Sequence, residues 1–359
     1  MLGSQQEQAD LAIIVRSDRP ESVYPALILA TTASAMGVKV EMFFTFWGLR
    51  AIVKGGAEEI KREFPREGFS EALKSLVIDI AGGRVDSVVA VGVGSIGPLD
   101  LLRGSVVNTP NAPIKNFEIA RPIRELGLKV ILANDAAASA WGEYVLGLGR
   151  GFDNILYITI STGLGGGVIV DGNLLVGKDG NAHEIGHIVV DYSSRVRCGC
   201  GGIGHWEGIA SGANIPRSFA EYVKERGLCG DIGSWLCEEL SAGRYPKPED
   251  IFKHYYIGDP VASKYIDDYL MVINAAGIAS AINVYDPEIL ILGGSVALNN
   301  REVFIRGIGR YLDKYLTVRR PKIVFTGFED NVGIYGAAAL AIRTPSTLAK
   351  YAEIWNKNG

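Results

Sequence analysis

The segment over residues 177–212 constrains the fold of this chain more than any other feature of its sequence. It is rich in glycine and has no helical or strand periodicity, and a structureless connection of this length is uncommon inside a compact domain. Four potential metal ligands lie close together in it: His187, Cys198, Cys200 and His205. Thiolate and imidazole groups suit tetrahedral zinc, and four protein ligands make a closed, structural site. The sequence therefore predicts a structural zinc loop, with two buried thiols and two surface histidines as the alternative.

Composition indicates that the chain as a whole is an α/β protein. Apolar residues make up 48% of the 359 residues and charged residues 21%, which excludes disordered and coiled-coil chains and allows two domains. The net charge of −4 argues against nucleic acid or a membrane surface as a partner. The apolar stretch over residues 24–36 is too short to span a bilayer, so we expect a cytoplasmic protein. Glutamine occurs only at Gln5, Gln6 and Gln8, which favours a thermophilic source.

Hydrophobic patterns predict an alternation of strands and helices. The chain opens with a predicted strand over residues 10–17, a helix over 21–36 and a second strand over 38–46. Further strands are predicted over 87–91, 129–133, 155–160, 167–170 and 289–292, and further helices over 136–146, 217–226, 263–284 and from Gly333. The opening order of strand, helix and strand is typical of a βαβ unit.

Two familiar motifs are present without the context that they need. The G-x-G-x-x-G pattern over residues 92–97 is followed by Pro98, whereas a dinucleotide site needs a running helix at that point. His183 and His187 are the histidines of an H-E-x-x-H pattern. A zinc protease needs them one helical turn apart, but Gly186 and the β-branched run after His187 oppose a helix. We therefore expect neither a dinucleotide-binding protein nor a metalloprotease.

Residues 161–167 and Asp135 are candidates for binding and catalysis. The first is a glycine run between two predicted strands, whose backbone N–H groups could receive phosphates; a tight hairpin is the alternative. The chain contains no G-x-x-x-x-G-K-[ST] sequence, which excludes a Walker-type NTPase. Asp135 follows a predicted strand and precedes a predicted helix, the position at which α/β sheets hold ligands. A helix N-cap would explain the same aspartate.

Seven motifs follow one another along residues 57–341. They are Gly97-Pro-Leu-Asp100, Asn108-Thr-Pro-Asn111, Asn134-Asp135-Ala-Ala, Ser161-Thr-Gly-Leu-Gly-Gly-Gly167, Glu184-Ile-Gly-His187, Cys198-Gly-Cys200-Gly with Gly204-His205-Trp-Glu207, and Asp286-Pro-Glu-Ile-Leu-Ile-Leu-Gly-Gly294. Together they resemble the ROK family of sugar kinases, and most closely its archaeal glucokinase or broad-specificity hexokinase branch. The resemblance implies an α/β, two-lobed actin-like ATPase (ribonuclease H-like) fold, with the sugar in the interlobe cleft. Residues 55–134 would complete the small lobe, and residues 135–345 would form the large lobe with its zinc loop over 177–212.

The implied reaction is ATP-dependent phosphorylation of a hexose, with glucose foremost, at the 6-hydroxyl, assisted by Mg²⁺. Asp135 corresponds to the family's general base. The residues implied to hold the sugar are Asn111, Asn134, Glu184, His187 and Glu207, and those implied to hold ATP are Ser161, Thr162, Gly163, Gly165, Gly166, Gly293 and Gly294. Structural Zn²⁺ would be held by His187, Cys198, Cys200 and His205, the last of which stands where the family has a third cysteine. The family also implies a homo-oligomer, either a dimer or a tetramer.

The opening of the chain departs from the family, whose members begin with a strand and an Asp-x-Gly-Gly-Thr phosphate loop. No such loop occurs in this sequence. Residues 1–54 instead resemble the first βαβ unit of DsrE-like sulfur-relay proteins, although the segment has no cysteine for persulfide chemistry. Two functions are therefore open: a hexose kinase, and a sugar-binding or regulatory ROK protein with impaired catalysis.

Overall fold

The computed structural model describes residues 11–15, 40–44, 74, 77, 88, 90–107, 116–230 and 233–357. The chain divides into two compact units. The first contains Met1–Asp153, Gly167–His183 and Asn331–Gly359, and the second contains Asn154–Gly166 and Glu184–Asp330. Among the described residues, no helix combines the length and apolar composition needed to cross a membrane.

The described residues contain both strands and helices, as expected for an α/β fold. The strands are β1 (Leu11–Val15), β2 (Val40–Phe44), β3 (Ala90–Ser95), β4 (Leu99–Asp100), β5 (Ser105–Val106), β6 (Phe117–Glu118), β7 (Lys129–Asn134), β8 (Ile155–Ile160), β9 (Leu164–Val170), β10 (Asn173–Leu174), β11 (Ile289–Gly293) and β12 (Lys322–Phe325). The α-helices are α1 (Ala120–Arg124), α2 (Asp135–Leu146), α3 (Trp206–Ala210), α4 (Ile215–Glu225), α5 (Trp235–Ser241), α6 (Pro248–Tyr256), α7 (Pro260–Tyr265), α8 (Met271–Tyr285), α9 (Ser295–Asn299), α10 (Arg301–Tyr311), α11 (Val332–Ile342) and α12 (Ser346–Lys357).

In the first unit, the parallel strands β3 and β7 end together. Ser95 pairs with Asn134 at the carboxyl end of both strands, and helix α2 begins directly after β7. Helix α2 packs against α11. The two helices approach closely because Gly142 and Gly336 lack side chains: a Cβ built at Gly142 would lie 2.8 Å from Cα of Gly336. This packing fixes the direction in which α2 leaves the sheet edge.

The first unit continues past residue 134, after which the sequence predicts the large lobe to begin, and it includes helix α2. Helix α2 lies in the first unit because it packs on α11 and β3, both of which belong to that unit. Strands β1 and β2 pair in parallel, α11 packs against both, and β2 lies beside β3. Both opening strands lie within their predicted ranges. The helix predicted over residues 21–36 lies outside the described residues.

The larger sheet has the strand order β10-β9-β8-β11-β12. In its centre, β8, β11 and β12 are parallel, and Ile289 of β11 pairs with Ile155 on one side and Lys322 on the other. The apolar side chains of β8 and β11 are fully buried, as expected for central parallel strands; they include Ile155, Leu156, Ile158, Leu290 and Ile291. Since β8 and β11 are in register, the residues that follow them meet at one edge of the sheet.

Two glycine runs predicted as loops are partly strand. Gly92 and Gly94 lie in β3, so the G-x-G-x-x-G pattern forms no loop before a helix. Gly165 and Gly166 lie in β9, which begins three residues before the predicted strand. Two glycines of these strands lie against helix α2: a Cβ at Gly94 would lie 3.3 Å from Cβ of Ala138, and a Cβ at Gly167 would overlap the carbonyl oxygen of Ala136. Glycine in an extended strand leaves room for this approach.

Candidate active site

The four predicted metal ligands converge in the second unit. The ligand atoms of His187, Cys198, Cys200 and His205 all lie within 4.8 Å of one another. Cys200 Sγ lies 3.6 Å from His187 Nδ1 and 3.3 Å from His205 Nδ1. Cys198 Sγ lies 3.8 Å from His187 Nδ1. Tetrahedral zinc with its usual bond lengths separates sulfur and nitrogen ligands by about 3.6 Å. The four side chains therefore fit a tetrahedral metal ion.

Short backbone pairings fold the metal-binding segment back on itself. The two antiparallel bridges are Val189 with His205 and Arg197 with Ile203. The bridge between Arg197 and Ile203 closes a tight turn, in which the Cys198 amide donates to the Gly202 carbonyl at 2.8 Å. The backbone thus brings the histidine and cysteine ligands together although the segment has no long strand or helix.

The environment of the centre controls the protonation of its ligands. Burial raises the pKa of the Cys198 thiol to about 12. Burial, and secondarily the nearby His187, lower the pKa of His205. Neutral imidazole is the form of histidine that ligates metals, whereas a cysteine ligand must lose its proton. A divalent cation would supply the positive charge that holds Cys198 as a thiolate.

Two glutamates flank this centre. Glu184 Oε2 lies 3.7 Å from His187 Nε2, the ring nitrogen opposite the one near the cysteines. Glu207 lies in the first turn of α3, and its Oε1 accepts a hydrogen bond from the Cys198 thiol at 3.4 Å. Carboxylates beside metal ligands orient the ligands. The structure therefore brings together three of the five residues predicted to hold the sugar: Glu184, His187 and Glu207.

The predicted phosphate-binding turn lies at the carboxyl ends of β8 and β11. Ser161 follows β8, and its hydroxyl lies 3.1 Å from the hydroxyl of Ser295. Gly294 has a φ of +86°, and a Cβ built there would lie 2.5 Å from the carbonyl oxygen of Ile160. The two predicted nucleotide-binding stretches, residues 161–163 and 293–294, are therefore neighbours.

Backbone hydrogen bonds hold this turn from the side of α3. Gly212 N–H donates to the Ser161 carbonyl at 2.7 Å, and Ala213 N–H donates to the Thr162 carbonyl at 3.1 Å. Leu164 N–H, at the start of β9, donates to Glu207 Oε2 at 3.1 Å. The turn and the metal centre thus share contacts with the segment that begins at α3.

In the first unit, Asn134 and Asp135 occupy different positions at the start of α2. Asn134 is the N-cap, and its Oδ1 accepts from the N–H groups of Ala136 at 2.9 Å and Ala137 at 3.4 Å. Asp135 is the first helical residue and is exposed. Its Oδ1 accepts from the Ala136 N–H at 2.8 Å. The N-cap interpretation therefore applies to Asn134, and Asp135 presents a carboxylate at the helix start.

Some predicted residues lie elsewhere. Asn111 lies outside the described residues. Gly165 and Gly166 are strand residues of β9 and not members of the turn. His183 is buried and is not one of the four clustered ligands, and residues Ile185–His187 form a 3-10 turn. The H-E-x-x-H pattern therefore does not form the helix of a metalloprotease.

Three features of the second unit were not predicted. Ser295 contacts Ser161, and its position after two glycines at a strand end is a signal that could have identified it. Leu164 contributes only its backbone N–H to the site, and the residue type gives no indication of such a contact. A disulfide joins Cys229 and Cys237 at the start of α5, and a separation of eight residues has no characteristic local pattern.

Comparison with protein families agrees with this geometry. The model of the ROK family matches residues 52–344. This chain belongs to the ROK family. A second model, for the DsrE/DsrF/DrsH-like family, matches residues 7–81 of this ROK protein. Both resemblances predicted from the sequence are therefore confirmed.

Relatives of this ROK protein are named as kinases. A glucokinase of Pyrobaculum calidifontis is 43% identical over 305 residues, which cover 85% of this chain and 95% of the relative. A glucokinase of Aeropyrum pernix is 45% identical over 312 residues, covering 84% and 95%. A crystal structure of a ROK family glucokinase from Streptomyces griseus, in complex with glucose and AMPPNP, is 30% identical with a TM-score of 0.60, covering 76% of this chain and 87% of that one. ROK sugar kinases have a two-lobed, actin-like ATPase fold, so the predicted fold class is confirmed.

Proposed function

We propose that this ROK protein transfers the γ-phosphoryl group of ATP to the 6-hydroxyl of a hexose, with glucose as the preferred substrate. The relatives named glucokinase support this, since the similarity covers nearly their whole length. The observation that carries the proposal is the exposed carboxylate of Asp135 at the carboxyl end of β7. Parallel strands of α/β proteins place reacting groups at this end.

Asp135 acts as the general base in this proposal. Its carboxylate accepts the proton of the sugar 6-hydroxyl while the hydroxyl oxygen attacks the γ-phosphorus. The bond from the γ-phosphorus to the bridging oxygen breaks, and ADP leaves with the electron pair. Asn134 supports the base, because its cap on Ala136 and Ala137 fixes the first turn of α2. The transfer therefore needs the aspartate in its ionised form.

MgATP is the second substrate, and Mg²⁺ enters with the nucleotide. We assign the phosphates to the turn formed by Ser161, Thr162 and Gly163, with Gly165 and Gly166 beside it, and the adenosine to Gly293 and Gly294. Gly163 supports this assignment, because it has no side chain and a Cβ built there would lie 3.2 Å from Glu207 Oε2. Bare backbone N–H groups in such a turn are suited to phosphate oxygens.

Sugar hydroxyls are assigned to Asn111, Asn134, Glu184, His187 and Glu207. Carboxylates accept hydrogen bonds only, whereas amide side chains both donate and accept. A sugar hydroxyl both donates and accepts hydrogen bonds. Carboxylates can accept from it, and an amide can also donate to it. The clustering of Glu184, His187 and Glu207 around the metal centre supports the assignment.

Zinc is the metal that we propose for the four-ligand centre. Two thiolates and two imidazoles form a donor set that zinc prefers, and four protein ligands leave no coordination position for a substrate. When bound, the ion would supply a structural link and the positive charge that neutralises the thiolates. It would hold the segment between His187 and His205 in the shape that presents Glu184 and Glu207.

A second function is favoured by one observation, the absence of an Asp-x-Gly-Gly-Thr sequence from this chain. Phosphoryl transfer relies on hydrogen-bond donors placed around the phosphates. Without that loop, the protein would bind a hexose and act as a sensor or regulator with impaired catalysis.

A coupled assay for ADP release from MgATP, with and without glucose, tests the proposal. Glucose-dependent ADP release supports the kinase. Glucose binding measured by calorimetry, without ADP release above the sugar-free blank, supports the regulator. A protein that neither binds glucose nor releases ADP in its presence would contradict both functions.

A further inference from the structure

The turn formed by Ser161, Thr162 and Gly163 is called the glycine turn below. The backbone of Leu164 connects it with the metal centre inside the second unit. Its N–H donates to Glu207 Oε2 at 3.1 Å. Its carbonyl oxygen lies so close to Gly186 that a Cβ on this glycine would overlap it. Gly186 directly precedes the ligand His187, and Glu207 is two residues beyond the ligand His205. The first residue of β9 is therefore held between two segments that carry metal ligands.

Glu207 is the side chain that contacts both parts. One carboxylate oxygen accepts from Leu164 N–H, and the other lies 3.4 Å from Cys198 Sγ. Helix α3 holds this side chain in place, because the neighbouring Trp206 is fully buried and its Nε1–H donates to Asn274 Oδ1 at 3.0 Å. A bound metal ion removes the thiol proton of Cys198, so the loaded centre holds Glu207 through α3, whose N-cap is the ligand His205. Glu207 thus projects from a helix that begins at a metal ligand, and it accepts the N–H of Leu164 at the end of the glycine turn.

We propose that Glu207 is a positioning residue that transmits occupation of the metal centre to the glycine turn, so that bound metal strengthens nucleotide binding. This inference rests on the proposed function, because it takes residues 161–163 as a phosphate site and the four-ligand centre as a zinc site. The role is separate from a contact between Glu207 and the sugar, because it operates when no sugar is bound.

The coupling follows from what a metal ion would fix. A tetrahedral ion ties His187, Cys198 and His205 to one point, and this also fixes the two segments that hold Leu164. Without the ion these segments gain freedom, and the turn samples more conformations. A nucleotide must then order the turn as it binds, which lowers its affinity. Coupled sites commonly alter each other's affinity by about 5- to 150-fold. Because one hydrogen bond carries the coupling here, we expect about five- to tenfold.

Calorimetric titration of the full chain with Mg-AMPPNP, in the absence of any hexose, tests the inference without turnover. Zinc-loaded protein is compared with protein treated with 1,10-phenanthroline, which extracts zinc and leaves Mg²⁺. We expect extraction to weaken AMPPNP binding by about five- to tenfold in the wild type. In Glu207→Ala we expect the weaker affinity already in the zinc-loaded form, with no further change on extraction. Glu207→Gln should behave as the wild type, because its amide oxygen still accepts from Leu164 N–H.

Glu239→Ala is the matched control, since it removes a carboxylate of the second unit that pairs with Arg244. Equal weakening on zinc extraction in the wild type and in Glu207→Ala would overturn the inference. So would equal AMPPNP affinities of the zinc-loaded Glu207→Ala and Glu239→Ala variants, a comparison that holds even if the zinc-free chain unfolds. A wild type that binds no AMPPNP at all would overturn the proposed nucleotide site itself, so the two failures are distinguishable.

Discussion

Asn134 and Asp135 are adjacent at the start of helix α2 but have different roles there. An N-cap needs extended backbone, and Asn134 has φ −61° and ψ 148°. Its side chain satisfies two N–H groups of the first turn. Asp135 is already helical, so its carboxylate is not required as the cap. Asparagine and aspartate cap helices about equally well; the sequence analysis considered a cap only at Asp135, whereas the structure has it at Asn134.

Replacing Asp135 by asparagine tests the role of the base. We expect Asp135→Asn to lower kcat by about 10²- to 10⁴-fold, because a positioned base contributes that much and an amide cannot accept the proton. The glucose KM should stay within about threefold of the wild type, since the amide still forms hydrogen bonds. The coupled ADP assay measures both constants. Asp171→Asn, an exposed change at a hairpin tip where φ is 49°, is the matched control. A kcat of Asp135→Asn within about threefold of the wild type would exclude the role.

Replacing Asn134 tests its role as the cap of helix α2. Asn134→Ala should lower the free energy of unfolding by about 1 kcal/mol, because the Ala137 N–H loses the acceptor Asn134 Oδ1 and the Ala136 N–H is left with Asp135 Oδ1. Asn134→Ser should retain most of that stability, since serine also caps helices. Urea denaturation of the wild type and both variants measures the difference. If the alanine and serine variants were equally stable, the cap seen in the structure would contribute nothing.

At the scale of elements, the loop between His187 and His205 is the clearest case for metal-dependent order. Protein purified without a histidine tag should contain about one zinc per chain. The Cys198→Ser, Cys200→Ser double variant should contain almost none, because two of the four ligand atoms are lost. The Cys229→Ser, Cys237→Ser double variant removes as many sulfurs from a disulfide and should keep its zinc. Elemental analysis by mass spectrometry decides, and full zinc content in the first variant would rule out the assignment.

Elements whose limits depend on local sequence were predicted closely. Strand β8 occupies its predicted residues, and α2 begins within one residue of its prediction because Asn134 caps it. Tertiary contacts decided the rest. The helix predicted over residues 263–284 is interrupted by a π-helical turn over Ile266–Leu270, where Tyr269 donates to Asp191 Oδ2 at 3.1 Å.

The same distinction between local sequence and tertiary contacts applies to the candidate site. The grouping of His187, Cys198, Cys200 and His205 was predictable because donor type and spacing are local properties of the chain. The bond from Leu164 N–H to Glu207 joins residues 43 positions apart, and one partner is backbone. The disulfide between Cys229 and Cys237 likewise has no pattern that distinguishes it from two free thiols. Contacts of this kind appear only when the fold is known.

At the scale of the whole molecule, each unit carries a different part of the proposed machinery. Asp135 belongs to the first unit, whereas the metal centre and the glycine turn belong to the second. The first unit also contains β1 and β2, which lie within the region that matches the DsrE/DsrF/DrsH-like family. Helix α11 packs against both strands. Strands from the region that resembles the DsrE-like family therefore belong to the same unit as the proposed base, Asp135.

The missing Asp-x-Gly-Gly-Thr loop predicts a chain that binds sugar better than it transfers phosphate. Removing one donor to a developing negative charge costs about 10²- to 10³-fold in rate, and this sequence lacks the family's whole loop. The residues proposed to hold the sugar are all present: Asn111, Asn134, Glu184, His187 and Glu207. We therefore expect glucose binding by calorimetry, with a turnover far below the median enzyme rate of about 10 per second. The Pyrobaculum calidifontis glucokinase, assayed in parallel, controls for the assay conditions. Turnover of tens per second would show that other groups hold the phosphates, and residues 10–54 and the glycines over 92–97 would be the first to test by substitution.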